Sequence, residues 1–240
     1  KARLVALGNQ QNANQYDAIS SPTARSATVK CLIAIQAKTG AKSCVMDVKG
    51  AYLKSHCKDE DLYLRVMDKI YKLRKYLYGL KQAGRKWNEL LAETLSKLGY
   101  RQSNYDPSLF YLHRENGEFV YMCIHVDDFY VVSSHQALID DLHRQLEEAF
   151  GEVTIKSDAI LAYLGMQVKE EESYISLSQP GYLKKILEKA AIGNAMSDIP
   201  YSDSVPAEGD DDQAYDKTSY LELIGMLNYI AVLTRPDILY

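Results

Sequence analysis

Residues 119–132 read FVYMCIHVDDFYVV, and the architecture turns on how that stretch is understood. Phe119–Ile124 and Phe129–Val132 are apolar runs rich in β-branched and aromatic side chains, the composition of buried strands. Between them stand two adjacent carboxylates, Asp127 and Asp128. A core strand does not bury two ionised acids without partners, because desolvating each costs several kcal/mol. The pair therefore lies at a turn or binds something cationic. Asp-Asp also serves as an ordinary hairpin turn, and the stretch alone leaves both readings open.

Outward from it, Leu109–His113 reads as a strand joined to Phe119–Ile124 through Glu115-Asn116-Gly117. Upstream, Ser43–Met46 is a short apolar strand ending on Asp47. Ala83–Leu98 is predicted helical, with Leu90, Leu91, Leu95 and Leu98 on one side and Gly99 as the stop. Gln136–Phe150 places Leu138, Leu142 and Leu146 at i, i+4, i+8, with Ser134 available as a cap. Ser21-Pro22 opens a helix running through Lys38. Tyr163–Lys169 and Tyr174–Leu177 read as strands, Pro180 to about Ala191 as a helix, and Ser219–Leu233 as a last helix. The strand–helix–strand–strand–helix–strand order from Cys44 to Lys169 predicts a ferredoxin-like α+β domain with helices on one face, followed by a smaller helical unit.

The 240 residues suffice for one large domain or two small ones. No run approaches the ~20 apolar residues of a membrane helix, and no secretory leader is visible. The opening Lys1-Ala-Arg-Leu-Val5 reads like the middle of something longer, so the chain is expected to be an excerpt. Four scattered cysteines, Cys31, Cys44, Cys57 and Cys123, form no C-x-x-C pair. They argue against a disulfide scaffold or zinc site and for a reducing compartment. The formal net charge of −4 hides a polarised distribution. Arg65, Lys69, Lys72, Arg74, Lys75, Lys81, Arg85 and Lys86 are opposed within their stretch only by Asp68, whereas Asp203 to Asp216 carries six acids and no base. A basic stretch of this kind can grip phosphates, and it can equally be a solvated face.

If the strand ending on Asp47 neighbours the one bearing Asp127, the two acids meet at a sheet edge as a hard oxygen site. Magnesium prefers such a site, completed by waters and substrate phosphates. Two ions about 3.5–4 Å apart would activate a 3′-hydroxyl and neutralise a leaving pyrophosphate.

Several blocks, in order and across nearly the whole chain, resemble the reverse transcriptases of copia-like retrotransposons. They are Lys1-Ala-Arg-Leu-Val5, Met46-Asp-Val-Lys-Gly-Ala-Tyr-Leu53, Leu77-Tyr-Gly-Leu-Lys-Gln-Ala-Gly-Arg-Lys-Trp87, His125-Val-Asp-Asp128, Tyr163-Leu-Gly165 and Thr234-Arg-Pro-Asp-Ile238. The resemblance implies a right-hand polymerase with a ferredoxin-like palm, partial fingers and a small helical thumb. Its expected divisions are an incomplete fingers segment at 1–43, a palm at 44–177 with an inserted basic segment near 54–82, and the start of a thumb or connection at 178–240. It further implies Asp47 and Asp127 as the main ligands of two Mg²⁺ ions (Mn²⁺ as a substitute), with Asp128 close by and the Val48 carbonyl contributing. Asp127 and Asp128 cannot contribute equally unless the turn rotates one of them.

Lys1, Arg3, Ala51, Tyr52 and Gln82 would surround the incoming deoxynucleotide. Tyr52 would lie under its sugar and leave no room for a 2′-hydroxyl, although a Tyr after an apolar strand is more often a core aromatic. Tyr163, Leu164 and Gly165 would form the primer grip. Lys156, in the loop before it, would donate a proton to pyrophosphate. Trp87 is expected to pack. Partners would be an RNA or DNA template with its primer, and the parent polyprotein would carry ribonuclease H and integrase regions. The setting would be a cytoplasmic virus-like particle or the nucleus. Three features depart from the family pattern: His125 replaces the usual aromatic, the stretch between Asp61 and Leu77 is short, and no ribonuclease H domain follows within these residues.

The function implied is RNA-directed DNA polymerisation. A domesticated, inactive scaffold or RNA-binding module is the rival, weakened by the intact acids. A nucleotide cyclase on a similar palm leaves the Leu77–Trp87 block unexplained.

Overall fold

Two apolar runs around a polar pair fold back on each other. The computed structural model describes residues 4–12, 14, 16, 18–57, 60–191 and 216–239. In it Phe119–His125 (β6) and Asp128–Ser133 (β7) form an antiparallel hairpin with His125 opposite Asp128. Lys42–Val48 (β1) lies against β7, and Val153–Lys156 (β8) against β1. Beyond β6 come Leu109–His113 (β5) and the short Arg101–Gln102 (β4). The sheet order is β4-β5-β6-β7-β1-β8, with every neighbouring pair antiparallel.

Ala83–Lys97 (α2) follows β1 and Gln136–Phe150 (α3) follows β7. Counting β1, β6, β7 and β8 as strands one to four gives the order 4-1-3-2, the ferredoxin-like arrangement expected. One strand differs. The fourth is β8, a stretch whose sequence carries no strand signal, whereas the expected strand at Tyr163–Lys169 belongs to a separate sheet.

Period-two alternation divides the strands between two cores. Met46, Val48, Met122, Ile124, Phe129 and Val131 pack with Trp87, Leu91 and Leu95 of α2 and with Leu138, Ile139, Leu142 and Leu146 of α3. The intervening Val45, Cys123, Tyr130 and Val132 are also buried. They face the other way, where Ser26–Thr39 (α1) lies along β6 and β7. Helices therefore cover both faces, not one, and strands buried on both sides lose their polar alternation. Helix α1 starts at Ser26 rather than at Ser21-Pro22, with no side-chain cap.

The Tyr130 hydroxyl donates to Gln36 Oε1 of α1 at 2.6 Å, both residues being buried. Tyr130→Phe strips a buried acceptor of this donor. The expected cost is about 1–3 kcal/mol, read as a lower urea midpoint with an unchanged slope.

Between β1 and α2, Tyr63–Val66 (β2) and Lys69–Lys72 (β3) form a largely exposed hairpin. Under its base a small core gathers Cys57, Leu62, Tyr76 and Ala83.

The chain divides into two compact units, 1–161 and 162–240. Strand Ile160–Tyr163 (β9) spans the division and enters a three-stranded sheet with Met166–Glu170 (β10) and Ile175–Ser178 (β11), in the order β11-β10-β9; the second unit also holds Pro180–Ala190 (α4) and Lys217–Leu233 (α5). Asp216 caps α5 by accepting the Thr218 N–H at 3.0 Å, and Lys189 pairs with Glu222 at 2.7 Å to tie α4 to α5. The stretch expected as one strand at Tyr163–Lys169 is broken at Leu164-Gly165, both at positive φ (+48° and +75°), into β9 and β10. Positive φ at both central residues is the type I′ requirement. The acidic run from Asp203 lies outside the described residues apart from Asp216.

Candidate active site

The hairpin β6–β7 closes through only two residues, Val126 and Asp127. Of these, Val126 alone takes a positive φ, +60°. That is the type II′ pattern, whose first central position is normally glycine. A β-branched residue there is strained by about 1–3 kcal/mol and persists only where its surroundings over-determine it. Two hydrogen bonds meet that condition. The Trp87 indole N–H donates to the Val126 carbonyl at 2.7 Å, and the Val48 N–H donates to the Asp127 carbonyl at 3.1 Å.

The register decides which acids face each other. Asp128 lies directly across β7–β1 from Asp47 and across β6–β7 from His125, and Asp47 lies across from Thr154 of β8. Asp47 thus meets Asp128 in the ladder, while Asp127 occupies the turn. Asp128 nonetheless feels both of the other carboxylates. Burial first, then Asp127 and Asp47, push the Asp128 carboxyl above the ordinary aspartate range, and His125 and Lys156 oppose the shift. Negative charge is thus concentrated at the end of the hairpin, with His125 and Lys156 acting against it.

Around the acids, Gly50 at φ +67° turns the chain after β1 into a 3₁₀ segment, Ala51–Lys54. Ala51 is buried and Tyr52 half-buried. The Tyr52 ring lies 4.7 Å from that of Tyr78, and its hydroxyl would sit 3.5 Å from a Cβ placed on Gly84. Burial, and next the charge of Asp127, raise the Tyr52 phenol, keeping it neutral beside the acids.

Gln82 is 2 % exposed. Its Oε1 accepts from Gln11 at 2.8 Å and its Nε2 donates to Glu60 at 3.2 Å, and Glu60 also accepts from the Tyr76 hydroxyl. With Glu60, Tyr16, Arg85 and Lys86 it lines a cavity of about 380 Å³. Sequence reasoning missed Glu60, because an isolated acid ahead of a basic stretch carries no signal of its burial partner.

Lys156 is exposed and ends strand β8, opposite Val45. It therefore sits on a strand rather than in a loop, within electrostatic reach of Asp128. Lys1 and Arg3 lie outside the described residues. In the second unit, Tyr163 is buried, and the Leu164 carbonyl accepts from the Tyr229 hydroxyl at 3.3 Å.

Among the described residues no three His, Cys, Asp or Glu side chains form a ready-made metal cage. Magnesium does not need one: it is bound by one or two carboxylates together with water and substrate phosphates. Hard oxygen donors on Asp47, Asp127 and Asp128, and the burial and neighbouring acids that raise Asp128, suit such a cation.

A family model described as reverse transcriptase (RNA-dependent DNA polymerase) matches residues 1–202. The Pol polyprotein of transposon RE1 from Arabidopsis thaliana is 32% identical over 261 residues, covering 100% of this chain and 17% of that protein. That of transposon TNT 1-94 from Nicotiana tabacum is 27% identical, covering 99% of this chain and 19% of its own length. The Ty1-DR4 Gag-Pol polyprotein of Saccharomyces cerevisiae is 28% identical over 100% of this chain and 16% of that protein. The chain thus spans under a fifth of these relatives. Among solved structures, the foamy viral protease-reverse transcriptase bound to double-stranded DNA matches 90% of this chain and 31% of its own, with a TM-score of 0.51 at 12% identity, a likeness of fold. The chain belongs to the reverse transcriptase family, in the form found in the Pol polyproteins of copia-like transposons.

Proposed function

We propose that this chain is the polymerising core of an RNA-directed DNA polymerase that extends a primer 3′-hydroxyl with deoxynucleotides. The observation that carries the proposal is the meeting of Asp47 with Asp128 across the ladder beside Asp127 in the turn, where burial and then the charge of the other two acids push Asp128 up. Asp47, Asp127 and Asp128 would hold two Mg²⁺ ions, helped by the Val48 carbonyl. Bound there, the ions would lower the pKa of the attacking hydroxyl and offset the charge of the departing pyrophosphate.

The chain's own residues would do the rest. The strand ladder and the restrained turn hold the carboxylates in place before substrate arrives. Tyr52 supplies a neutral ring beside them, where the sugar of the nucleotide would lie. Gln82, held by Gln11 and Glu60, would present a fixed wall near the nucleotide. Lys156 would offer a proton to pyrophosphate. Residues 1–43 would belong to the fingers, the six-stranded unit to the palm, the β2–β3 hairpin to a fingers insertion, and the C-terminal helices to the thumb. The Leu164–Gly165 turn would be the primer grip.

Template and primer would be held through backbone phosphates. Arg65, Lys69, Arg74 and Lys75 are exposed on or beside the β2–β3 hairpin, whereas Arg85 and Lys86 already pair with Glu89. Affinity for an RNA–DNA hybrid should fall steeply with salt and vary little with sequence. Replacing Lys69 or Arg74 with Ala should lower the log–log salt slope by roughly one. Titration by fluorescence anisotropy at several salt concentrations reads the slope, and a salt-independent affinity would reject this mode of binding.

The deciding experiment is extension of a DNA primer on an RNA template with Mg²⁺. Extension by the wild type supports the polymerase. Hybrid binding without extension by a folded wild type would favour the scaffold instead.

A further inference from the structure

We propose that Trp87 is a positioning residue for the acidic turn: its indole N–H, through the Val126 carbonyl, holds Val126 and Asp127 in the conformation that places the carboxylates. Its consequence for catalysis rests on the polymerase reading above; the contact itself does not.

A two-residue loop with valine at the glycine position is not the conformation this sequence adopts by preference. It reverts unless something outside the hairpin holds it. The Val126 carbonyl belongs to that loop, outside the cross-strand ladder, and its donor comes from another element. The donor that reaches it, at 2.7 Å, is the indole of Trp87.

That indole cannot drift. Trp87 is 1 % exposed, among Leu91, Leu95 and Val153, and its ring meets Phe150, the last residue of α3, edge-on at 5.0 Å. The two helices that follow β1 and β7 thus converge on one ring whose only polar atom is aimed at the turn. A purely packing aromatic at this place would not need a donor, and Phe would fill it nearly as well. Tryptophan buried with its N–H satisfied by the strained carbonyl does what phenylalanine cannot. The next carbonyl, that of Asp127, is held by the Val48 N–H at 3.1 Å. One bond comes from the helix layer and the other from the strand bearing Asp47, so the turn is fixed against both.

Trp87 is the only tryptophan in the chain, so biosynthetic replacement of tryptophan by an analogue alters this position alone. Three forms separate the donor from the volume. Trp87→Phe removes the N–H and part of the ring. A benzothienylalanine-substituted chain keeps both rings and replaces N–H with sulfur. A 7-azatryptophan chain keeps the N–H. Two readouts apply. Amide exchange of Val48, whose N–H binds the Asp127 carbonyl, should quicken in the first two forms and stay slow in the third, while exchange at Met46 on the same strand stays unchanged. Primer extension should lose about 10²-fold in kcat in the first two, the scale of an ångström-level misplacement, with template–primer Kd and nucleotide KM nearly unchanged.

Wild-type Val48 exchange in the benzothienyl form overturns the proposal, and so does wild-type extension there. Should the wild type itself not extend, the polymerase reading fails, and Val48 exchange still decides whether Trp87 holds the turn.

Discussion

Asp127→Asn is expected to abolish primer extension, by about 10³-fold or more, while leaving hybrid binding within a few-fold of wild type. The size follows from what a carboxylate at this position would do. A metal ion stabilises transition-state charge by several kcal/mol, and each 1.4 kcal/mol lost is a factor of ten in rate. Asparagine keeps the shape and one oxygen but gives up the charge that holds the cation. Asp47→Asn should behave the same way, because Asp47 faces Asp128 across the ladder and adds to its charge. Binding should survive, since it depends on phosphate contacts made elsewhere.

A second consequence separates a metal site from a structural turn. With no cation present, the three carboxylates repel one another, so Asp128→Asn should raise the melting temperature in metal-free buffer. Added Mg²⁺ should stabilise the wild type more than it stabilises this variant. Destabilisation by Asp128→Asn, together with full extension by Asp127→Asn, would mean the acids only shape the hairpin.

Much of this was legible in the chain because the decisive residues combine two signals. Asp127 and Asp128 stand between apolar runs, where an acid is costly, and so they announce themselves. Helices α2 and α3 carry clean i, i+4 stripes and fall within a residue of their expected ends. Strand β8 escaped notice because Val153-Thr-Ile-Lys156 is four residues long with one side buried, too short for periodicity to distinguish from a loop. Helix α1 was anticipated, but not its place: its stripe of Val29, Leu32, Ile33 and Gln36 says that it packs, not against which face.

The site divides in the same way. The resemblance brought Asp47, Tyr52 and the hairpin to one place, and the ladder does bring Asp47 to the acids. It said nothing of the Trp87–Val126 contact, because no pattern of residues encodes which carbonyl an indole will reach. Nor did it show that Gln82 is already engaged by Gln11 and Glu60. Partly buried polar pairings across 71 and 22 positions are properties of the folded chain alone.

Tyr52→Val is expected to relax discrimination against ribonucleotides by at least about 10–200-fold, the range that a single methylene in an apolar pocket produces, since valine removes more of the side chain than that. The ring packs against that of Tyr78, its hydroxyl lies near Gly84, and the charge of Asp127 acts on it, so the ring occupies space beside the acids where a 2′-hydroxyl would have to fit. Its role would be exclusion by volume, which makes Tyr52→Phe the informative control. Phenylalanine keeps the ring and should keep the discrimination, whereas a role for the phenol oxygen would show as a loss in both variants. Tyr52 also packs against both the main core and the smaller cluster around Tyr76, so Val should cost stability as well, and thermal unfolding must accompany the kinetics. Single-nucleotide incorporation with matched ribo- and deoxynucleotides gives the ratio of kcat/KM values directly. A folded Tyr52→Val chain that still rejects ribonucleotides as the wild type does would reduce Tyr52 to a core aromatic, and selection of the sugar would then have to come from another residue.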